Sequence, residues 1–228
     1  MNTVPLERAW LVLVLAPLWF GVASVGVGTA LVTGGADPAQ LDAVMTDYVP
    51  TVVLVAQVLM AITAVLAGGF RGFRGAITQM RPRAAVLGSV VGVGLAVLYL
   101  SVLSPAHEWL QRNLGDYVPA GATTTSLASQ TLILFIGNVL LAPVVEEVTY
   151  RQLGWLGLSS RHRPVVAAVW TTIMFGFLHW MGGGWYIALT ALFAGVPLLL
   201  LRSRYGLGAA IACHLALNLV EFGWLVLR

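Results

Sequence analysis

The few charges of this 228-residue sequence divide it into apolar runs long enough to cross a lipid bilayer. The first run, from Ala9 to Ala36, contains 28 residues and no charged side chain. Only 9% of all residues are charged and 59% are hydrophobic, whereas a soluble domain carries about 25% charged residues. So few charges cannot cover a water-facing surface. The sequence therefore predicts an all-α, polytopic transmembrane helical bundle.

Seven segments meet or approach the length of about 20 apolar residues that a transmembrane helix needs. They are Trp10–Leu31, Pro50–Ala67, Ala84–Leu103, Leu127–Leu156, Pro164–Trp180, Trp185–Leu201 and Leu207–Leu227. The fifth and sixth are short, so a re-entrant or tilted path is an alternative for them. Residues 104–126 form an extracytoplasmic loop in which HEWLQRNLGDYV is expected to be a short interfacial helix. We find no linker or repeat, so residues 1–228 are predicted to be one integral-membrane domain.

The arginines of the connecting segments lie in alternate loops, which predicts the orientation in the membrane. Eight lie in the second, fourth and sixth connections: Arg71, Arg74, Arg81, Arg83, Arg161, Arg163, Arg202 and Arg204. The other connections contain one, Arg112, and Arg228 follows the last span. The positive-inside rule then places the N-terminus in the cytoplasm. The formal charge of +3 is not gathered into a basic face, so no nucleic-acid partner is expected.

Three ionisable groups interrupt the fourth segment: Glu146, Glu147 and Arg151. At membrane depth such groups cost about 3 kcal/mol each on insertion scales, and they are usually functional. The spacing from Glu147 to Arg151 is i to i+4, which allows the two side chains to pair on one helix face. Glu146 points about 100° away from Glu147 around an α-helix and is free to face another partner.

Three more polar side chains lie within predicted spans: His179, His214 and Asn218. With a rise of about 1.5 Å per residue, Glu146, His214 and Asn218 lie about 11 to 17 Å from the cytoplasmic helix ends, and His179 about 22 Å. A carboxylate beside imidazoles can deprotonate water, and an amide can donate to an oxyanion. Glu146, His179 and His214 could instead bind a divalent metal such as Zn²⁺. Either chemistry is hydrolysis, whereas a polar network that only holds helices together is the structural alternative.

Three sequence motifs, EEVTYR from Glu146, FGFLH from Phe175 and HLALN from His214, occur in this order on three predicted spans. The set resembles the CAAX prenyl protease and bacteriocin-processing family of intramembrane endopeptidases, whose pattern is EExxxR, FxxxH and HxxxN. The resemblance covers about residues 127–220, which would be the catalytic core. Residues 1–126 would supply three further spans and the extracytoplasmic loop.

The resemblance also implies a role for each residue. Glu146 and His179 would activate a water molecule, and His214 and Asn218 would shape an oxyanion site or help to bind a metal. Glu147, Arg151 and Phe175 would support the site.

The implied substrate is a membrane-associated or lipidated peptide or protein, and the implied location is the cell membrane, the inner membrane in a bacterium. A non-catalytic scaffold or bacteriocin-immunity protein of the same fold is the main alternative, and an ion or proton transporter is another. The oligomeric state is left open.

Four residues receive only a minor interpretation from the sequence. Cys213 is expected to be a small apolar core residue, and His107 and His162 are expected to be solvated in loops. Glu221, one turn beyond Asn218, remains an unassigned polar contact.

Overall fold

The structure is a computed structural model and describes residues 4–68, 81–118 and 130–227. Within these residues the chain forms eight helices and no strand. They are α1 (Leu6–Thr33), α2 (Leu41–Asp47), α3 (Val49–Gly68), α4 (Pro82–Leu114), α5 (Thr131–Ser159), α6 (Pro164–Leu178), α7 (Gly184–Tyr205) and α8 (Leu207–Val226). The predicted all-α helical bundle is confirmed. Arg71, Arg74 and Arg228, which the orientation argument used, lie outside the described residues.

Six of the described helices, α1, α3, α4, α5, α7 and α8, are long and apolar enough to cross a bilayer. Their outer faces are apolar too: Val25 on α1 and Leu66 on α3 are 70% and 77% exposed. Exposure of many such side chains to water would be unfavourable by about 25 cal/mol per Å². The chain is therefore a multi-pass membrane protein.

Two predicted boundaries differ from the structure. The fifth span ends at Leu178 as a helix of 15 residues, shorter than a full crossing. The prediction of a separate interfacial helix after the third span is wrong, because α4 continues as one helix of 33 residues from Pro82 to Leu114. Pro105 does not end this helix, because a wider turn in π geometry at Tyr99–Leu103 directly precedes it.

Contacts between helix ends show that α3, α5 and α7 run in the same direction and that α1 runs in the opposite one, as expected if the spanning helices alternate. At one end, Arg8 on α1 donates to the carbonyl of Ala67 on α3. Gln152 on α5 accepts at the same end from Arg202 on α7. At the other end Thr51, at the start of α3, donates to Gln130 just before α5. This alternation agrees with the loop charges, which set arginines at one end and acidic residues at the other.

Helix α5 occupies the centre of the bundle, and α8 is held beside it by a close contact with α4. Helix α5 packs on α1, α3, α6 and α8. Gly88 and Gly92 of α4 lie directly against the backbone of α8. A Cβ at Gly88 would come within 2.2 Å of the Ala209 carbonyl oxygen, and one at Gly92 within 2.1 Å of the Cys213 carbonyl oxygen. Small residues four positions apart allow such an approach between membrane helices. Cys213 is fully buried there, as predicted.

Prolines mark the irregular turns of these helices. Three turns with π geometry end two residues before Pro105, Pro143 and Pro197 in α4, α5 and α7. Proline has no N–H to donate to the preceding turn, so the helix widens and leaves a carbonyl free. A fourth such turn, Glu147–Gly154, begins at the second glutamate of the predicted site and ends at a glycine.

Gly92→Ala should destabilise the protein, because its Cβ would overlap the α8 backbone rather than a movable side chain. We expect the free energy of unfolding in detergent to fall by about 1–3 kcal/mol, as for other overpacked sites. Gly94→Ala is the matched control, since no heavy atom lies within 4 Å of a Cβ at Gly94. Equal thermal stability of the two variants would contradict the close α4–α8 contact.

Candidate active site

A cavity of about 150 Å³ opens between α4, α7 and α8 and is bounded on its other sides by α5 and α6. Its lining includes all four residues predicted to be catalytic: Glu146, His179, His214 and Asn218. Phe175, predicted as a supporting residue, also lines it. The structure thus brings the three motifs, which are far apart in the chain, to one cavity within the bundle.

Glu146 has two carboxylate oxygens in different surroundings. Oε1 accepts a hydrogen bond of 2.6 Å from Nε2 of Gln57 on α3. Oε2 is buried, has no hydrogen-bond partner among the described residues, and lies 3.9 Å from Nε2 of His214. That separation is too long for a direct hydrogen bond but suits a water bridge. One oxygen of Glu146 is therefore held by the protein, while the other is buried without a hydrogen-bond partner in the described part of the chain.

Glu147 bridges Arg151 and His214 and is completely buried. Its Oε2 lies 3.5 Å from Nε of Arg151, and its Oε1 accepts from Nδ1 of His214 at 3.1 Å. The pairing with Arg151 is the one that the i to i+4 spacing predicts. The contact with His214 was not predicted, and it links the first motif to the third.

Arg151 is 1% exposed and extends the same network to α6 and α7. Its Nη2 donates to the carbonyl of Gly195 on α7 at 3.1 Å. Its Cζ lies 4.2 Å from the centre of the Phe175 ring on α6, a distance at which a cation and an aromatic ring attract each other. The Phe175 ring in turn makes edge contacts with both site histidines, His179 and His214.

His179 follows the last residue of α6, and the end of that helix orients its ring. The backbone N–H of His179 donates to Gly176, three residues back, which leaves the carbonyl of Phe175 without its usual helical partner. The ring Nδ1 lies 3.0 Å from that carbonyl oxygen. Because a carbonyl can only accept, Nδ1 carries the proton, and Nε2 of the neutral ring has a free lone pair.

His214 is oriented in the same way by a different acceptor. The contact of its Nδ1 with the Glu147 carboxylate requires a proton on Nδ1. The Nε2 of the neutral ring is then an acceptor as well, and it is the nitrogen nearest to Glu146. The two imidazoles therefore share one tautomer, with Nδ1 bound to the protein.

Asn218 is held by a backbone defect in α5. The N–H of Ala142 donates to Gly137 five residues back, and the next donor in this pattern would be Pro143, which has no N–H. The carbonyl of Asn138 is thereby left free, and Nδ2 of Asn218 donates to it at 2.8 Å. An amide has two N–H donors, so Asn218 keeps one in addition to this contact.

The turn that follows His179, between α6 and α7, is held in place by Asp116. Its carboxylate accepts backbone N–H groups of Gly184 at 2.8 Å, Trp185 at 3.2 Å and Tyr117 at 2.7 Å. Burial opposes ionisation of Asp116, but these donors outweigh it and lower its pKa. This stabilisation is therefore present above about pH 4, the ordinary value, and is lost as the pH falls through the lowered pKa.

Several residues at the site were not predicted from the sequence. Gln57 comes from a span that the motifs do not touch, and only its position as a lone amide in an apolar helix could have indicated it. Tyr99 and Tyr186 line the cavity, as does Glu221. The prediction that His107 is solvated is wrong: it lies in α4, is 6% exposed and packs 5.4 Å from the Tyr186 ring. His162 is exposed, as expected.

Glu146, His179 and His214 were also a tentative metal set. Among the described residues, no group of three His, Cys, Asp or Glu side chains is arranged to hold a metal ion. The protein holds one atom of each side chain, since Gln57 binds Glu146, Phe175 binds His179 and Glu147 binds His214. Contacts of this kind also occur around metal ligands, so they do not decide between the two chemistries. The metal set therefore stays a prediction, and no step below depends on a metal ion.

These features define a class of protein: a multi-pass membrane protein with a carboxylate, two oriented histidines and an amide around an internal cavity. Within this class, residues 128–220 match the sequence model of a family described as Rce1-like, type II CAAX prenyl endopeptidase. The match runs from α5 into α8 and includes all three motifs, so it confirms the resemblance seen in the sequence. Because the matched family is a family of proteases, the match supports protease activity for this protein. Comparisons with curated proteins and with solved structures found no match.

Glu147→Gln should destabilise the protein far more than Glu146→Gln. Removal of the Glu147 charge leaves Arg151 as an uncompensated buried cation, and breaking such a pair costs about 3–5 kcal/mol. Glu146→Gln keeps the acceptor for Gln57 and leaves the ion pair intact. Unfolding of both variants in detergent, followed by tryptophan fluorescence, measures the difference. Equal losses of stability would assign both glutamates to a structural role.

Proposed function

We propose that this protein is an intramembrane endopeptidase that hydrolyses a peptide bond of a membrane-associated or lipidated protein with a water molecule activated by Glu146 and His179. The observation that carries this proposal is Oε2 of Glu146, a buried carboxylate oxygen with no hydrogen-bond partner among the described residues that lies 3.9 Å from Nε2 of His214 in a cavity that His179 also lines. Buried polar atoms are normally hydrogen-bonded, and exceptions often mark a catalytic role. The bacterial inner membrane is the proposed location.

In the proposed reaction, Glu146 acts as the general base. Its Oε2 takes a proton from water while the water oxygen bonds to the carbonyl carbon of the scissile bond. The free Nε2 of His179 accepts a hydrogen bond from the same water and helps to align it. The proton on Glu146 is then transferred to the departing amine nitrogen as the C–N bond breaks. Water is thus divided between the two products, and the enzyme returns to its initial protonation state.

Asn218 and His214 would stabilise the oxyanion that forms at the substrate carbonyl. The remaining N–H of Asn218 is a donor that Asn138 has already fixed in position, which avoids reorganisation during the reaction. A proton on His214 Nε2 would make it a second donor, and the Glu147 carboxylate would balance the positive charge. Glu147 and Arg151 thereby act through His214 and do not touch the substrate.

Glu146→Gln and His179→Ala should each abolish cleavage while the protein remains folded and inserted. Loss of a general base reduces the rate by about 10²-fold or more. Cleavage of membrane proteins is compared by proteomics in cells that carry the wild type or a variant, and thermal unfolding verifies the fold. His162→Ala, an exposed histidine outside the cavity, is the control and should leave cleavage unchanged. Full activity of either site variant would disprove the proposed mechanism, whereas the absence of any cleavage that depends on the wild type would favour the scaffold or immunity alternative.

Treatment with a chelator distinguishes hydrolysis by a water that Glu146 activates from hydrolysis by a metal-bound water. Because no step of the proposed reaction uses a metal ion, we expect purified protein to keep its activity after 1,10-phenanthroline treatment and to contain no stoichiometric zinc by elemental analysis. The reverse result, loss of activity that Zn²⁺ restores, would assign Glu146, His179 and His214 as ligands.

A further inference from the structure

Glu221 is a carboxylate that the proposed reaction does not use, although it lines the same cavity. It is half-buried on α8, three residues beyond Asn218 and seven beyond His214. Side chains three or four residues apart share a helix face, so His214, Asn218 and Glu221 form one row along the cavity. With a rise of about 1.5 Å per residue, Glu221 lies about 5 Å from Asn218 and about 10 Å from His214 along the helix axis.

The cavity gives Glu221 no compensating charge. Its lining contains two carboxylates, those of Glu146 and Glu221, and no arginine. Arg151, the basic residue nearest to the catalytic groups, is occupied by Glu147 and Gly195. Among the described residues, Glu221 takes part in no ion pair and accepts no side-chain hydrogen bond. A half-buried carboxylate in an apolar span is unfavourable without a partner, and here the open side of its surroundings is the cavity itself.

Two aromatic rings flank the same part of the cavity. Tyr99 on α4 and Tyr186 on α7 have ring centres 6.5 Å apart, and both line the cavity together with Glu221. Tyr186 also lies 5.8 Å from the ring of His179, so this region adjoins the catalytic groups. A carboxylate in a cavity that aromatic rings also line suits an ammonium or guanidinium group. The carboxylate pairs with such a cation, and aromatic faces attract it.

We propose that Glu221, Tyr99 and Tyr186 form a subsite for a positively charged side chain of the substrate, Lys or Arg. This inference rests on the proposed endopeptidase function. An extended peptide advances about 3.4 Å per residue, so the bound side chain belongs to a residue about two or three positions from the scissile bond. The same lining disfavours a free C-terminal carboxylate at this position, because Glu221 would repel it. Glu221 acts here in substrate selection and takes no part in bond cleavage.

The proposal is tested by peptide binding to the Glu146→Gln protein in detergent, so that no peptide is cleaved. The probes are fluorescent polyleucine peptides that carry one lysine at successive positions, each paired with a peptide that has norleucine at the same position. At one or two neighbouring positions, lysine should lower Kd by about tenfold relative to norleucine, as expected for a charge-assisted contact. Glu221→Gln, added to Glu146→Gln, should remove this difference without changing the norleucine values.

Reversing the charge of Glu221 tests whether this residue selects the substrate side chain or only stabilises the fold. Glu221→Arg in the same background should transfer the preference from lysine to glutamate at the same position, which a purely structural residue would not do. Glu108→Gln is the matched control, because that carboxylate is exposed and pairs with Arg112. Equal affinities for lysine and norleucine peptides at every position, or no binding of the whole lysine series, would overturn the subsite. Failure of the wild type to cleave any membrane protein would instead overturn the endopeptidase proposal.

Discussion

The buried bridge from Arg151 through Glu147 to His214 is the interaction on which the site depends. Neither charge is stable alone in a span, because a single buried charge costs several kcal/mol while a compensated pair is tolerated. The bridge joins α5 to α8, and Arg151 adds α7 through Gly195 and α6 through the ring of Phe175. Four helices therefore meet around one ion pair. The packing of these helices therefore also orients the imidazole of His214.

Irregular backbone in α5 and at the end of α6 orients the side chains of Asn218 and His179. Pro143 has no N–H for the carbonyl of Asn138, and the side chain of Asn218 donates to that carbonyl instead. At the tightened end of α6, Nδ1 of His179 donates to the carbonyl of Phe175. In an apolar medium every such carbonyl must find a donor within the protein. A defect in one helix therefore determines the position of a side chain on another. Wide turns at functional positions are common for this reason.

Charge is unevenly distributed around the cavity, and this unites the catalytic and selective roles that we propose. Arg151 forms an ion pair with Glu147, and neither residue lines the cavity. Glu146 and Glu221 are therefore the carboxylates that a substrate in the cavity would meet. The former has one oxygen tied by Gln57 and one free. The close packing of α4 on α8 through Gly88 and Gly92 holds Glu221 and Tyr99 on adjoining walls. The segments before the matched region thus contribute to the site as well as to the bundle.

The sequence alone determined the membrane class, the approximate spans and the identity of the site candidates, because hydropathy and motif spacing are local properties. The i to i+4 spacing was enough to pair Glu147 with Arg151. It did not reveal Gln57, Tyr99 or the second partner of Glu147, and it placed His107 in solvent. Those contacts join residues up to 89 positions apart. Only the packing of helices decides them, because a helix places its side chains by period but does not specify which neighbouring helix they face.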